Sequence, residues 1–355
     1  MHSLMSTNDL FWVLGEQSLG PLELYFADAL KNNGKNVTYI NVHTIYKEYW
    51  KKIRAYSHRF PRKYDKLIQK KFFAIINNEL IKRFNEDKPA HIFIYNDCLV
   101  LPETLIYFKN NGAKVSVFLG DDPNYLFPSK KTFLLNVMNA DSVIVPDTGW
   151  IEGLKMLDVK NIIFSPVGTD TDVFFKMNPD QAQINKFESD ILFIGTGYYL
   201  NSWGIKRASF LNELCDMNLK IFGDKLWEDL FPYFPDLRKH FKREFVNAKD
   251  VNVACNCSRI YPVIVNNGVV NGVSTRVFDC IASEIFVLAE YKKDFNIIFP
   301  DNEVITFKSK KELKDKTLYF LKNEKEMKDH IFAAKETLQR SYTLDILVKN
   351  ILQQI

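Results

Sequence analysis

The segment 271–283 has the residue types of an anion-binding helix start. Its turn residues, which precede a predicted helix, are Asn271, Gly272, Ser274 and Thr275. The free N–H groups and the dipole of a helix N-terminus attract an anion, and Arg276 adds a planar cation that matches phosphate oxygens. Asp279 lies three residues further along the same helix face, where its carboxylate can accept two sugar hydroxyl protons. The segment predicts a site for a nucleotide or nucleotide sugar; the alternative is an N-capped helix with both charges solvated.

Two adjacent carboxylates follow a predicted strand in the first half of the chain. Asp121 and Asp122 come directly after the run Val115–Leu119 and Gly120. Open parallel sheets place ligands and catalytic groups at the carboxyl ends of their strands, so we predict that Asp121 or Asp122 is catalytic. Adjacent residues point to different sides, so only one is expected to face a ligand. The alternative is an Asp-Pro turn, and Asp97, after the preceding strand, shares the same edge.

The first predicted strand, Leu10–Leu14, leads into a loop that contains Gly15 and Gly20. Glycines allow a sharp turn and a close approach of the backbone to a ligand. The loop lacks the G-x-G-x-x-G spacing of dinucleotide-binding sites, which argues against a dehydrogenase. Gly15 and Gly20 are therefore candidates for a loop that approaches a ligand.

A second glycine loop follows the predicted strand Asp190–Ile194. The loop residues expected to approach a donor are Gly195, Thr196 and Gly197. Lys206 and Arg207, in the next predicted helix, are placed to reach a diphosphate from the side opposite to Arg276. Cations near a helix start are also common without a ligand, and that interpretation stays open.

Short apolar runs alternate with helical patterns along the chain. In the first half the predicted strands are Leu10–Leu14, Val37–Val42, His91–Tyr95, Val115–Leu119, Ser142–Val145 and Asn161–Phe164. In the second half they are Asp190–Ile194, Leu219–Phe222, Val251–Cys255, Ile285–Ala289 and Val304–Thr306. This alternation predicts an α/β chain with two Rossmann-like, doubly wound parallel sheets that face each other across a cleft. The expected domains are 1–172 and 173–335, followed by a C-terminal helix over 336–355.

The composition is that of a globular protein with more than one core. The chain has 355 residues, of which 46% are hydrophobic and 25% are charged, and its formal net charge is +4. This charge is too small to argue for nucleic acid. The five cysteines form no CxxC pair, and no zinc-ligand spacing, signal-type N-terminus or long apolar run is present. These features predict a cytoplasmic protein with reduced thiols and no metal.

One segment has a strongly biased composition. Residues 47–71 contain ten Lys or Arg against two acidic residues, interleaved with five aromatic residues. The simplest interpretation is a pair of solvated helices with extended lysines. The functional alternative is peripheral association with an anionic membrane, or contact with an anionic acceptor.

Two segments carry a resemblance to a known superfamily. The run Ser165–Phe174 resembles the Pro-Asn-Gly-Val-Asp-x-x-x-Phe hinge of retaining GT-B glycosyltransferases, with Val167 in place of the usual Asn and Thr169 in place of the usual Val. The loop Gly15–Glu23 is similar to the N-terminal glycine loop of that superfamily.

Two further segments resemble a subgroup of that superfamily. Arg276–Glu284 resembles the Arg-x-Phe-Glu-x-x-Ala-Cys/Ser-Gly run of the CgeB-like (spore-maturation-type) glycosyltransferases, although Glu284 stands where Gly is usual. Asp121-Asp122-Pro123 resembles a motif in the N-terminal half of those proteins. The resemblance covers nearly the whole chain, and it rests on the order and spacing of all four segments. It implies that 1–172 is the acceptor-side domain, that 173–335 binds the nucleotide sugar, and that the helix 336–355 packs back on the first domain.

The resemblance implies roles for individual residues. Asp279 matches the glutamate that holds the donor ribose and is one methylene shorter. Asn271 stands where the first member of the usual Glu-x7-Glu pair contacts the donor sugar. Asp121 and Asp122 fall near the catalytic position of the first domain, which is often His or Asp. GT-B enzymes need no bound metal, because helix N-termini and Arg or Lys neutralise the leaving diphosphate, so no cofactor is expected.

The expected function is transfer of a sugar from a nucleoside-diphosphate donor to a glycan, a lipid-linked or a protein acceptor, with retention of configuration. Two alternatives stay open. One is a nucleotide-sugar epimerase on the same scaffold, which would need acid and base groups that the six histidines do not supply in any strong motif. The other is a degenerate binding protein without turnover.

Overall fold

The structure, a computed structural model, describes residues 9–16, 22–96, 99–123 and 131–355. Its contacts divide the chain into two compact units. The first unit consists of Met1–Ser165 with Val348–Ile355, and the second of Pro166–Leu347. Each unit contains a six-stranded parallel sheet with flanking helices, which confirms the predicted α/β fold with two parallel sheets. The predicted domain boundaries at 172/173 and 335/336 stay predictions.

The sheet of the first unit has the strand order β2-β1-β3-β4-β5-β6, and each neighbouring pair is parallel. Its strands are β1 (Leu10–Gly15), β2 (Asn36–Asn41), β3 (His91–Tyr95), β4 (Lys114–Phe118), β5 (Ser142–Val145) and β6 (Ile162–Phe164). Its helices are α1 (Leu22–Asn32), α2 (Glu48–Ser57), α3 (Arg62–Asp87), α4 (Pro102–Asn110), α5 (Lys131–Asn139) and α6 (Ile151–Met156).

The central strands of this sheet are continuous apolar runs because helices cover them. Every residue of β3 and of β5 is buried. Phe26 of α1 packs against Phe93 with ring centroids 5.0 Å apart, and Tyr95 stacks on Phe118 at 4.5 Å. Burial lowers the pKa of His91 to about 4, and its Nε2 lies 2.8 Å from Ser116 Oγ. His91 is therefore a neutral residue of the core.

Asn77 of α3 holds the chain segment that follows β3. Its Nδ2 donates to the Leu99 carbonyl at 3.0 Å, and its Oδ1 accepts from the Leu101 N–H at 2.8 Å. The side chain is only 3% exposed, so water does not replace these bonds. One buried amide thus satisfies a donor and an acceptor of the loop that leads towards α4.

The sheet of the second unit has the strand order β12-β11-β10-β7-β8-β9, again parallel throughout. Its strands are β7 (Ser189–Ile194), β8 (Leu219–Gly223), β9 (Phe241–Arg243), β10 (Ser258–Val263), β11 (Phe286–Glu290) and β12 (Ile305–Phe307). Its helices are α7 (Gln181–Phe187), α8 (Ser202–Asn212), α9 (Ala248–Asn256), α10 (Thr275–Ala282), α11 (Phe295–Ile298), α12 (Lys310–Lys322) and α13 (Glu324–Ser341). The last helix, α14 (Leu344–Leu352), begins in this unit.

The predicted strand Val251–Cys255 is wrong. These residues belong to α9, which begins after Asn247, whose Oδ1 accepts from the Asp250 N–H at 3.0 Å. The strand is the next segment, β10, which contains Pro262. A short apolar run fits a buried helix as well as a strand, and the N-cap decides between them here.

The C-terminal stretch is helical apart from one break. Helix α13 ends at Ser341, and Thr343 forms an isolated parallel bridge with Thr169 before α14 begins. Among the described residues no helix is both long and apolar enough to cross a membrane.

We expect Asn77→Ala to lower the free energy of unfolding by about 2–4 kcal/mol, because it leaves a buried backbone N–H and a buried carbonyl without partners. Asn78→Ala is the matched control, since Asn78 is exposed on the same helix and should change the free energy by less than about 0.5 kcal/mol. Urea unfolding of both variants measures the difference. Equal stabilities would show that Asn77 does not hold the loop.

Candidate functional site

The carboxyl ends of the strands in the second sheet carry most of the predicted donor residues. Residues 195–197 follow β7, Asp224 follows β8, Val265 lies just after β10, and Glu290 ends β11. Helix α10 begins after β10. Ligands of open α/β sheets bind at this edge, and we refer to these residues as the carboxyl edge of the second sheet.

Helix α10 begins at Thr275 with a hydroxyl N-cap. Ser274 has extended backbone, and its Oγ accepts from the Arg276 N–H at 3.4 Å. The turn residues before the cap are partly or fully buried and are Asn271, Gly272 and Val273. The carbonyl of Asn271 accepts from the Asp294 N–H at 3.0 Å, which ties this turn to the start of α11. The structure thus places a fixed helix start where the sequence predicts one.

Asp279 is buried, with 6% of its surface exposed. Its Oδ1 accepts a hydrogen bond from Thr169 Oγ1 at 2.8 Å, and its Oδ2 lies 3.4 Å from Arg276 Nη1. Burial raises the pKa of Asp279 to about 6, against the attraction of Arg276 and the Thr169 hydrogen bond, which both lower it. The alternative of a solvated Asp279 is therefore wrong. A carboxylate has about four lone-pair sites, so two bonds leave capacity for hydroxyl donors.

The guanidinium of Arg276 is held from two sides. One side is the ion pair with Asp279, and the other is the ring of Tyr261, whose centroid lies 5.8 Å from the guanidinium carbon. The Tyr261 hydroxyl donates to the Ile194 carbonyl at 2.8 Å, so the ring itself is fixed across β10 and β7. About a quarter of the Arg276 side chain, 28%, is exposed. Arg276 is thus an oriented cation beside the start of α10.

The loop 195–197 is organised by Asp224, a residue that the sequence reasoning missed. Its Oδ1 accepts from the Gly197 N–H at 3.1 Å and from the Leu226 N–H at 3.1 Å, and its Oδ2 accepts from the Thr196 hydroxyl. A Cβ on Gly197 would lie 2.5 Å from the backbone nitrogen of Trp227. The loop therefore requires glycine at position 197. The sequence signal that could have identified Asp224 is its position directly after β8.

The structure separates the roles of Lys206 and Arg207. Arg207 is half-buried: its Nη1 donates to the Thr196 carbonyl, its Nη2 lies 3.4 Å from the Ile264 carbonyl, and its guanidinium stacks on Tyr198 at 4.5 Å. Burial lowers the pKa of Arg207. Arg207 thus stabilises the conformation of the glycine loop 195–197.

Lys206 lies in an ionic cluster at the same edge. Its Nζ is 2.6 Å from Glu290 Oε1 and donates to the Val265 carbonyl at 3.1 Å. Lys292 Nζ is 3.7 Å from the same carboxylate oxygen, and Glu290 Oε2 accepts from the Val265 N–H at 3.2 Å. Two cations share one carboxylate, so the cluster keeps a net positive charge. Glu290 and Lys292 were missed because nothing in their spacing marks them.

In the first unit, the carboxylate pair lies just beyond β4. Asp121 is exposed and Asp122 is half-buried. Asn96 directly follows β3 and has a φ of +53°. Its Oδ1 accepts a hydrogen bond from the Gly120 N–H and so holds the turn that comes before Asp121. The predicted residue Asp97 lies outside the described residues.

Gly15, the other predicted residue of the first unit, ends β1. A Cβ there would lie 2.3 Å from Glu23 Cγ of α1, so glycine permits this close packing. The predicted Gly20 lies outside the described residues.

The same unit has a titratable cluster that the sequence reasoning missed. His43, after β2, has its Nδ1 in contact with the Tyr46 hydroxyl and its Nε2 3.4 Å from Glu16 Oε2. Burial, followed by the charge of Glu16, raises the pKa of Tyr46. Because Glu16 directly follows β1, its place at a strand end was a usable signal.

No group of three or more His, Cys, Asp or Glu in the described parts of the chain has an arrangement that could hold a metal ion. The expected independence from metal stays a prediction.

Comparison with known proteins identifies the second half of the chain. Residues 206–353 match a protein-family model described as "Glycosyl transferase-like". This segment is a glycosyltransferase domain, which confirms the predicted enzyme class of a glycosyltransferase. No curated protein matches the sequence.

Solved structures with the same fold cover nearly the whole chain. A sucrose-phosphate synthase from Thermosynechococcus elongatus is 10% identical with a TM-score of 0.70, over 97% of both chains. A glycosyltransferase from Rickettsia africae is 14% identical with a TM-score of 0.67, over 98% of both chains. An E. coli structure described as "Trehalose-6-phosphate … bound with UDP-2-fluoro glucose" is 10% identical with a TM-score of 0.67, over 97% of this chain and 98% of that chain. At these identities the likeness shows the fold, which is that of the GT-B glycosyltransferases.

The buried Asp279 predicts a specific pH dependence of stability. Because its pKa is raised to about 6, the folded chain binds this proton more tightly than the unfolded chain between about pH 4 and pH 6. The contribution of Asp279 to the free energy of unfolding therefore falls as pH rises through this window. We expect the stability of Asp279→Asn, relative to the wild type, to rise by about 2 kcal/mol from about pH 4.5 to about pH 7.5.

Urea unfolding at several pH values measures this difference. The control is Asp172→Asn, which removes an exposed carboxylate of the same unit. A constant difference between Asp279→Asn and the wild type across the window would mean that the pKa of Asp279 is ordinary.

Proposed function

We propose that the chain transfers a sugar from a nucleoside-diphosphate donor to an acceptor, without a metal and with retention of configuration. The observation that carries the proposal is the pairing of Arg276 with the buried Asp279 at the capped start of α10. The family match and the fold of the neighbours support this chemistry. One neighbour is described as bound with UDP-2-fluoro glucose, which supports a nucleoside-diphosphate sugar as donor here.

We assign the donor contacts to the carboxyl edge of the second sheet. The N–H groups of the α10 start and the exposed part of Arg276 meet the diphosphate. The remaining lone pairs of Asp279 accept from ribose hydroxyls. Lys206 contacts the outer phosphate from the cluster with Glu290, whereas Arg207 positions the loop 195–197 whose backbone faces the donor. The turn residues with Asn271 lie next to the transferred sugar.

The same groups stabilise the leaving diphosphate during transfer. Negative charge grows on the diphosphate as the bond to the sugar breaks, and cations fixed before the reaction need no reorganisation to meet it. Each well-placed donor of this kind contributes about 3–4 kcal/mol to lowering the barrier. Arg276 is fixed by Asp279 and Tyr261, so it meets this requirement without a metal ion.

The finer assignment is to CgeB-like glycosyltransferases that retain configuration. It rests on the run Arg276–Glu284, on Asp121-Asp122-Pro123 and on the hinge-like run Ser165–Phe174. Thr169, which stands in the hinge-like run where Val is usual, donates a hydrogen bond to Asp279 that a valine could not make. Glu284 departs from the usual Gly but keeps a positive φ of +57° and pairs with Lys335.

A turnover panel tests the proposal against its two alternatives. UDP-, GDP-, ADP-, CDP- and dTDP-sugars are incubated with the chain, with and without glycan, lipid-linked and protein acceptors, and the products are separated. Transfer, or slow donor hydrolysis, is the expected result. An isomerised donor would favour an epimerase, and binding without any turnover would favour a degenerate binding protein.

Arg276→Ala should weaken binding of the nucleoside diphosphate more than binding of the bare nucleoside. Loss of a charge-assisted hydrogen bond costs about 1.5–3 kcal/mol, which corresponds to a Kd about 10- to 150-fold higher. Calorimetric titration measures both ligands, and thermal unfolding checks the fold. The control Arg243→Ala removes an exposed arginine of the same unit and should leave both constants unchanged. Equal losses for both ligands would show that Arg276 acts through folding.

Asp122→Asn or Asp121→Asn should reduce transfer about 10²–10⁴-fold while leaving nucleotide binding nearly intact. The reason is that an acceptor-side carboxylate takes the proton of the attacking hydroxyl or stabilises positive charge on the sugar ring, and Asn keeps its shape without its charge. We favour Asp122, which is half-buried, over the exposed Asp121. Initial rates and donor Kd are measured for both variants. If both keep more than about a tenth of the wild-type rate, the pair is only a turn.

A further inference from the structure

Helices α2 and α3, and the turn between them that contains Phe60, expose a row of apolar side chains that a globular surface usually buries. The six residues are Tyr49, Ile53, Tyr56, Phe60, Tyr64 and Leu67, and their exposed fractions range from 39% to 56%. We refer to these six residues as the α2–α3 stripe. The spacing of three or four residues places the members within each helix on one face. Contiguous exposed apolar surface of this kind marks interaction sites.

The stripe is exposed although its two helices pack firmly against each other. Ser57 Oγ donates to Asp65 Oδ1 at 2.5 Å, and Gln69 Nε2 donates to Ser57 Oγ at 3.0 Å. Arg54 Nε donates to Gln69 Oε1 at 3.1 Å, and its guanidinium lies 4.8 Å from the ring centroid of Phe72. These contacts lock α2 onto α3 on the inner side. The orientation of the stripe is therefore set by the fold before any partner arrives.

The charge around the stripe has one sign. Residues 47–71 contain ten basic and two acidic residues, whereas the whole chain has a formal net charge of only +4, so the rest of the chain is net negative. One of the two acidic residues, Asp65, is engaged by Ser57 on the inner side. Lys52, Lys63 and Lys70 are exposed and lie three or four residues from members of the stripe. Exposed apolar side chains and exposed basic side chains thus lie in the same segment.

We propose that the α2–α3 stripe and its lysines form a docking surface for a bilayer that contains anionic phospholipid. Aromatic side chains with one apolar body and one polar tip suit the boundary between headgroups and acyl chains. The flanking lysines contact the phosphate groups and anionic headgroups. Each lysine raises the partition coefficient of the protein onto an anionic membrane about fivefold. The surface lies on the first unit, which also carries Asp121 and Asp122, so it favours a lipid-linked acceptor. That last step alone rests on the proposed transfer function.

Two other occupants fit the surface less well. A second copy of the chain would bring ten more basic residues against the first ten, which is unfavourable without intervening anions. A nucleic acid would use the lysines, but it would leave aliphatic side chains such as Ile53 and Leu67 without a suitable partner.

Co-sedimentation with vesicles tests the docking surface. The full chain is mixed with phosphatidylcholine vesicles that contain about 30% phosphatidylglycerol, at about 50 mM salt, and with pure phosphatidylcholine vesicles. We expect strong binding to the anionic vesicles, weak binding to the neutral ones, and a steep loss of binding at about 500 mM salt. Equal binding to both vesicle types, or binding to neither, would overturn the proposal.

Two variants with matched controls separate the charges from the apolar residues. Lys52→Gln, Lys63→Gln and Lys70→Gln together should weaken partitioning about a hundredfold. The control is the exposed triple change Lys160→Gln, Lys176→Gln and Lys249→Gln, which removes the same charge and should leave partitioning within about threefold.

The apolar triple change is Tyr49→Ser, Phe60→Ser and Tyr64→Ser. It should weaken partitioning about tenfold or more and leave the salt dependence in place. Tyr233→Ser, Phe245→Ser and Phe332→Ser, which are all exposed elsewhere, form the control that should bind like the wild type. Equal effects of the test and control sets would overturn the proposal.

Two solution measurements distinguish the other occupants and the other proposal. A labelled single-stranded RNA that binds more tightly than the anionic vesicles, or a dimer that the apolar triple change dissociates, would overturn membrane docking. The calorimetric Kd of the nucleoside diphosphate should not change in any stripe variant, because that site lies in the second unit. Loss of vesicle binding with an unchanged Kd thus tests the surface independently of the transferase.

Discussion

The burial of the Asp279 carboxylate is the constraint on which the donor side depends. Taking a carboxylate out of water is costly, and the raised pKa of about 6 expresses that cost. Two neighbours offset it: the Thr169 hydroxyl at 2.8 Å and the Arg276 guanidinium at 3.4 Å. The Thr169 carbonyl in turn accepts from the Leu344 N–H at 3.0 Å, at the start of the last helix. One carboxylate therefore ties the hinge-like segment, the start of α10 and the beginning of α14 together.

Three cations at the carboxyl edge of the second sheet have three different tasks because their surroundings differ. Arg207 donates to the carbonyls of Thr196 and Ile264, so its guanidinium shapes the glycine loop. Lys206 is held by Glu290 and remains partly exposed. Arg276 combines a fixed orientation with partial exposure, which makes it the cation best prepared to meet a phosphate.

Much of the fold was predictable because parallel strands between helices are continuous apolar runs with turn residues after them. The same reasoning failed at Val251–Cys255, where a buried helix has an equally apolar sequence, and at β10, whose internal Pro262 argues against a strand. Side-chain roles were harder to predict. Arg207 and Arg276 look alike in the sequence, and their partners in the fold separate them: Arg207 donates to a backbone carbonyl of the glycine loop, whereas Arg276 pairs with the Asp279 carboxylate.

The residues missed by the sequence reasoning lie far from their partners along the chain. Asp224 organises a loop 27 or 28 residues before it, and Glu290 pairs with Lys206 across 84 residues. The cluster of Glu16, His43 and Tyr46 forms only because β1 and β2 are neighbours in the sheet. Local spacing carries no signal for such contacts. A systematic reading of the first residue after each strand would have selected Asp224 and Glu16.

Amide hydrogen exchange with and without a nucleoside diphosphate tests the central claim most directly. The ligand is the diphosphate that stabilises the chain most against heating, used at about 100 times its Kd, where exchange through ligand-free states slows about a hundredfold. The account predicts slowed exchange in peptides that contain 195–198 and 272–279, at the carboxyl edge of the second sheet. Unchanged exchange in both peptides from a chain that calorimetry shows to be saturated, with protection confined to the first unit, would contradict it.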